Sequence, residues 1–115
     1  NLGARFENLV ACSLYKELQR QEDFYGKRTA LYYLRTKDGK EIDFCVSIDH
    51  RVNAIIEAKY SDSEPSPHFD YFAKSLQNFA PQKIQVVGTL AKEYLHKSQV
   101  LLVPITSFHT LSFER

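Results

Sequence analysis

Asp43, Glu57 and Lys59, with the more distant Glu7, are the residues of this sequence best suited by type and spacing to carry out a reaction. Glu57 and Lys59 flank Ala58 at the end of an aliphatic run, and side chains two apart on a strand point the same way. If Asp43 lies on the neighbouring strand, two carboxylates meet with an ammonium group one pleat away. Adjacent carboxylates repel unless a cation lies between them. Mg²⁺ or Mn²⁺ is the expected occupant, because such hard ions take oxygen ligands and are commonly held by one or two carboxylates plus substrate phosphate. An ion there polarises a phosphodiester and lowers the pKa of a water. Lys59 is then placed to orient or deprotonate that water and to offset charge at phosphorus. Glu7 is expected to add an outer ligand or orient water.

These side chains need a scaffold, and hydrophobic periodicity predicts one. Leu2, Phe6, Leu9, Val10, Leu14 and Leu18 recur every three or four residues, so an amphipathic helix is expected from Leu2 to about Gln21, with Glu7 at the edge of its buried stripe. Two strand-like runs, Thr29 to Lys37 and Glu41 to Ile48, are separated by Asp38-Gly39, a strong hairpin signal. Strict alternation places Ile42, Phe44, Val46 and Ile48 on one face and Asp43, Cys45 and Ser47 on the other. Glu41, beside Asp43 in sequence, is expected to point to the other face and not to be a ligand. A third run, Asn53 to Tyr60, follows a polar turn at Asp49 to Val52 and completes a meander. Ile55, Glu57 and Lys59 share one of its faces, with Ala54, Ile56 and Ala58 on the other.

Beyond a loop at Ser61 to Pro67, the residues Phe69, Phe72, Leu76 and Phe79 mark a second helix ending before Pro81. Ile84 to Gly88 and Gln99 to Val103 are expected strands, with a short helix at Ala91 to Lys97 between them. The fold class is therefore α/β: a central mixed sheet, a three-strand meander plus two later strands, flanked by helices.

At 115 residues the chain holds one compact domain, 1–115. Apolar residues make up 43% and charged residues 25%, which excludes a disordered chain. With no run approaching a membrane span and no signal pattern, a cytoplasmic location and no membrane partner are expected. The start at Asn1, directly in a helical pattern, is expected of a piece of a longer protein with a further domain upstream. Cys12 and Cys45 lack metal-ligand spacing and are expected to be buried and reduced. His50, His68, His96 and His109 show no ligand spacing and are assigned no role. The formal charge of +1 neither demands nor excludes nucleic acid.

Asp43 and Glu57-Ala58-Lys59, with Glu7 in the leading helix, resemble the PD-(D/E)XK signature of the restriction-endonuclease-like nuclease superfamily. The wider pattern comprises Phe6-Glu7-Asn8-Leu9-Val10, Tyr33-Leu34-Arg35-Thr36-Lys37-Asp38-Gly39, Glu41-Ile42-Asp43-Phe44 and Ile56-Glu57-Ala58-Lys59-Tyr60-Ser61. It is similar to a nuclease-like domain of unknown function at the C-terminus of bacterial and archaeal AAA-type ATPases. The resemblance runs from Gly3 to about Pro104. It implies a restriction-endonuclease-like core, Asp43 and Glu57 as metal ligands, Lys59 as the catalytic lysine and Glu7 as the helix acid. It also implies Mg²⁺-dependent cleavage of nucleic acid, DNA more than RNA, and an upstream ATPase domain. Ile42 stands where the signature has Pro, a position that shapes backbone and supplies no ligand. No phosphate-binding GxxxxGK[ST] loop occurs, so an ATPase module must lie elsewhere.

Plainer readings stand beside these. Glu57 and Lys59 suit an exposed cross-strand charge pattern, and Asp43 and Glu7 suit solvated acids. Arg35, Lys37, Lys40 and Arg51 suit either phosphate contact or surface solubility. Tyr32, Tyr33 and Phe44 suit sheet packing better than base stacking. The alternative to hydrolysis is a catalytically inactive nucleic-acid-binding or regulatory module of an ATPase, using the nuclease fold as scaffold.

Overall fold

The computed structural model describes residues 1–62 and 64–108. His109 therefore lies outside the described residues, as does Ser63 in the loop expected before the second helix. Helix α1 spans Leu2–Tyr25. The Asn1 side chain accepts the Ala4 N–H at 2.9 Å, satisfying one of the donors that a helix start leaves unpaired. Gly26, at φ 65°, ends the helix in the left-handed conformation that glycine adopts without strain. Phe6, Val10, Leu14 and Leu18 are buried one turn apart. Leu2 and Leu9, expected in the same stripe, remain exposed: Leu2 precedes the first buried contact, and Leu9 is rotated about 100° off the row.

Strands β1 (Thr29–Arg35), β2 (Glu41–Ile48) and β3 (Arg51–Lys59) form the antiparallel meander. The turn at Asp38-Gly39 uses Gly39 at φ 91°. The tighter hairpin is the next one, where Ile48 pairs with Arg51 and both intervening residues are left-handed, Asp49 at φ 51° and His50 at φ 66°. Asp49 is steadied there by exchanging hydrogen bonds with Arg28: its Oδ1 accepts the Arg28 N–H at 2.9 Å, and its own N–H reaches the Arg28 carbonyl at 2.7 Å.

Helix α2 (His68–Ser75) is shorter than expected, because the chain breaks into turns from Leu76 to Phe79. It carries the crossover to β4 (Gln82–Val87), which lies parallel to β3. The expected helix at Ala91 to Lys97 does not form. Two of its residues instead make strand β5 (Tyr94–Leu95), paired antiparallel with β6 (Leu101–Pro104) through a turn in which the His96 N–H reaches the Val100 carbonyl at 2.9 Å. Pairing with β6 satisfies the backbone of this segment at once. Helix α3 (Ile105–Phe108), which no periodicity announced, follows β6.

The result is a mixed α/β fold around a six-stranded sheet in the order β1-β2-β3-β4-β6-β5. One core joins the α1 stripe and Phe108 to Phe44, Val46, Ile56, Val86 and Val103. The other joins α2, through Phe69 and Phe72, to Ile42, Cys45 and Ile55 on the opposite face. Among the described residues no helix is long and apolar enough to cross a membrane. Both cysteines are free thiols; Cys45 is buried as expected, but Cys12 is exposed on α1.

Ile42 corrects the alternation expected of β2, since it packs with Cys45 and Ile55 rather than with Phe44 and Val46. The cause lies in the register. Between the pairs Tyr32–Cys45 and Leu34–Ile42, β1 advances two residues while β2 advances three. The additional residue falls at Asp43 and Phe44, a β-bulge that re-aims every side chain before it.

Candidate functional site

The bulge lies where the sheet parts. The last register pair of β2 with β3 in this direction is Phe44 with Ile56; beyond it β2 stays with β1, and Glu57 to Lys59 stay with β4. Side chains bridge the gap in place of main-chain ladder bonds. The Asp43 N–H donates to Oε1 of Glu57 at 2.7 Å, and Oδ2 of Asp43 accepts the Ala58 N–H at 2.9 Å. Each acid is therefore tied to the other's strand. The opening sits at the carboxyl end of the parallel pair β3 and β4, where ligands of open α/β sheets commonly bind.

Burial and charge set the state of these acids. Glu57 is only 4% exposed, and its carboxyl is pushed up to about 7, by burial first and then by the charge of Asp43. Burial also raises Asp43, against the opposing effects of the Ala58 hydrogen bond and Lys59. The Lys59 ammonium lies 3.6 Å from Oε2 of Glu57 and is itself well exposed. Glu7 is brought to the same neighbourhood by α1. Phe6 beside it is buried and meets the Tyr60 ring edge-on at 6.1 Å, locking that turn of the helix to the end of β3. The Glu7 carboxyl is raised by partial burial and by the charges of Asp43 and Glu41, with Lys59 opposing.

All of Glu7, Asp43, Glu57 and Lys59 thus converge on the parting of β2 from β3. Arg35, Lys37 and Lys40 lie in the β1–β2 hairpin at the same end of the sheet. Lys40 is engaged there, 2.6 Å from Asp38 and 5.1 Å over the Tyr71 ring. Arg51 begins β3 at the opposite end and stacks over Phe79, away from the acids.

Three further residues join the site without a sequence signal strong enough to single them out. Glu41, expected to point away, instead lines a cleft of about 300 Å³ together with Glu57, Lys59 and His68. His68, the first residue of α2, holds its Nδ1 3.0 Å from the carbonyl oxygen and 3.1 Å from the main-chain nitrogen of Glu41. Gln85 is fully buried and pairs in register with Glu57. Its Oε1 accepts the Ser66 N–H at 2.9 Å, and its Nε2 donates to the carbonyls of Glu64 at 2.7 Å and Asp62 at 3.1 Å. One amide therefore holds the loop that walls the cleft. A lone Gln within the aliphatic run Ile84 to Val87 was its only trace in the sequence.

The family model for a domain of unknown function, DUF4143, matches residues 2–108. The chain belongs to the DUF4143 family. No curated protein matches it. The matched span of this DUF4143 domain takes in α1, the whole sheet and α3, and so contains every residue of the site.

The site of the DUF4143 domain suits a hard divalent cation on the chemistry of its donors. A buried Glu57 and a half-buried Asp43 lie beside each other; burial first, and then the charge of Asp43, raises the Glu57 carboxyl, and a cation offsets that second cause. Among the described residues no group of three or more His, Cys, Asp or Glu side chains is gathered to hold a metal ion. The protein part of the site is thus a pair of acids, compatible with the way Mg²⁺ is often bound, with water and phosphate completing the shell.

Proposed function

We propose that this DUF4143 domain is a divalent-metal-dependent phosphodiesterase acting on nucleic acid, built on a restriction-endonuclease-like PD-(D/E)XK core. The observation that carries the reading is the crossed pair of hydrogen bonds accepted by the Asp43 and Glu57 carboxylates at the parting of β2 and β3, with the Lys59 amine 3.6 Å from Glu57. Paired acids, one of them buried, cost stability, and a sheet closed by ordinary ladder bonds would avoid that cost. Their presence at the carboxyl end of parallel strands fits a binding task better than a structural one.

In this reading Asp43 and Glu57 hold Mg²⁺ or Mn²⁺, which when bound supplies charge neutralisation for a phosphodiester. The main-chain bonds to Ala58 and Asp43 fix the two acids from behind, leaving neither free to follow the substrate. Lys59, exposed beside them, orients the attacking water and sets a positive charge against the phosphoryl oxygens. Glu7 adds an acceptor for water from the α1 side. The resemblance of the motifs extends the proposal to a cytoplasmic protein in which the domain works beside an ATPase module, on DNA more than RNA.

The acidic lining of the cleft, with Glu41, Glu57, Asp62 and Glu64 facing Lys59 and His68, favours a second reading. A site short of cations holds nucleic acid weakly on its own, as a scaffold or regulatory module would. Incubating the purified domain with labelled single- and double-stranded DNA and RNA in Mg²⁺ or Mn²⁺ separates the two. Hydrolysis by the native chain, lost in Lys59→Ala and Asp43→Asn while both remain folded, is the expected result. Cleavage that persists unchanged in those variants would overturn the proposal, and binding without turnover would support the scaffold reading.

A further inference from the structure

We propose that the groove between α1 and β1 is a stacking site for an unpaired nucleobase, so that the substrate of the centre is a single strand. This inference rests on the phosphodiesterase reading and names its substrate class. The groove has a volume of about 350 Å³ and is lined by Tyr15 from α1, Tyr32 and Tyr33 from β1, and, among others, Glu7 and Asp43. It therefore reaches Asp43 of the paired acids.

The tyrosines are placed unusually for packing residues. Tyr15, Tyr32 and Tyr33 are 62%, 55% and 54% exposed, whereas Phe44 beside them is buried. The expectation that Tyr32 and Tyr33 pack in the sheet is therefore corrected. Successive strand residues ordinarily face opposite sides, yet both line this groove, next to the register shift between Tyr32 and Leu34. Tyr33 is oriented by its hydroxyl, which donates to Oε2 of Glu41 at 2.6 Å. Rings held exposed beside a reactive centre are a platform rather than a core.

The chemistry of the lining selects the occupant. The residues that line the groove include two acids and no Lys or Arg, so it offers nothing to a phosphate backbone, through which duplexes are chiefly held. Aromatic faces bind bases by stacking, which any base supports once its own faces are free. In a duplex those faces are taken by neighbouring pairs. A base seated on Tyr32 or Tyr15 would adjoin a phosphodiester at Asp43, and Arg35 on the adjoining hairpin lies toward the next phosphate. DNA and RNA single strands share this chemistry.

The test uses the Lys59→Ala chain to prevent turnover, with Mg²⁺ present. Anisotropy of labelled oligo(dT), oligo(U) and a duplex hairpin reports affinity, and the chain's own tyrosine emission, undisturbed by any Trp, reports ring contact. The expected result is a preference of about tenfold or more for single strands. Tyr32→Ala and Tyr15→Ala should weaken single-strand binding by about 5- to 150-fold, Tyr32→Phe should restore it, and duplex binding should not change. Equal affinity for duplex, or indifference to the Ala substitutions, overturns the stacking site while leaving any cleavage by the native chain intact. Tyrosine-dependent binding without cleavage by the native chain supports the stacking site and removes the hydrolytic reading instead. No binding to any strand overturns the stacking site.

Discussion

Glu57 and Gln85 are register partners on parallel strands, both buried, yet one ends in an acid facing the cleft and the other in an amide committed to the cleft's wall. The first supplies charge to the site, and the second fixes what stands around it. Gln85→Leu leaves the Ser66 N–H and two loop carbonyls without their partner. It is expected to destabilise the domain by about 1–3 kcal/mol. Urea denaturation measures the loss, and faster hydrogen exchange at Ser66 shows that the loop has loosened.

The raised carboxyl of Glu57 has a consequence for stability against pH. Its folded value of about 7 exceeds the ordinary 4.5, so between these values the folded state binds more protons than the unfolded one. Stability from this group is full below about 4.5 and is lost as pH rises through 7, by an amount on the order of 3 kcal/mol. Glu57→Gln should match the native chain near pH 4.5 and exceed its stability above pH 7, as read by thermal or chemical denaturation across that range. Identical pH profiles for the two proteins would refute the assigned cause.

Metal binding should act in the opposite direction. At neutral pH, Mg²⁺ or Mn²⁺ is expected to raise the midpoint of thermal unfolding by mass action, about 2.7 kcal/mol at a hundred times the dissociation constant. Asp43→Asn should remove the rise. A midpoint indifferent to either ion in the native chain would leave the paired acids without a ligand.

Gly88 lies just beyond β4, where its N–H reaches the Lys59 carbonyl at 3.1 Å. A Cβ there would stand 2.8 Å from the Tyr60 carbonyl oxygen and 3.2 Å from the Phe6 ring. That carbonyl is itself bound by the Thr89 N–H at 2.9 Å and has little room to yield. Gly88→Ala is expected to cost about 1–3 kcal/mol and to displace the helix turn carrying Glu7. Denaturation midpoints check the first effect, and the rate of any cleavage checks the second.

The parts of the fold legible in the sequence were those governed by local period. Phe6 to Leu18 on α1, the meander, and the common face of Ile55, Glu57 and Lys59 follow from repeats that the backbone imposes. The bulge at Asp43 was not legible, because Ile42, Phe44, Val46 and Ile48 alternate without a flaw and only pairing with β1 reveals the additional residue. His68 reaches the cleft through a crossover, which no spacing along the chain encodes. Strand β5 is two residues long, below the length at which alternation can be seen.

The exchange of ladder bonds for carboxylate bonds at the middle of the sheet also furnishes a spectroscopic handle. The amide protons of Asp43 and Ala58 each rest on an acid oxygen rather than a carbonyl. Their NMR frequencies should shift when a proton or an ion arrives at either carboxylate, so occupancy of the centre can be followed directly, with no substrate in the tube.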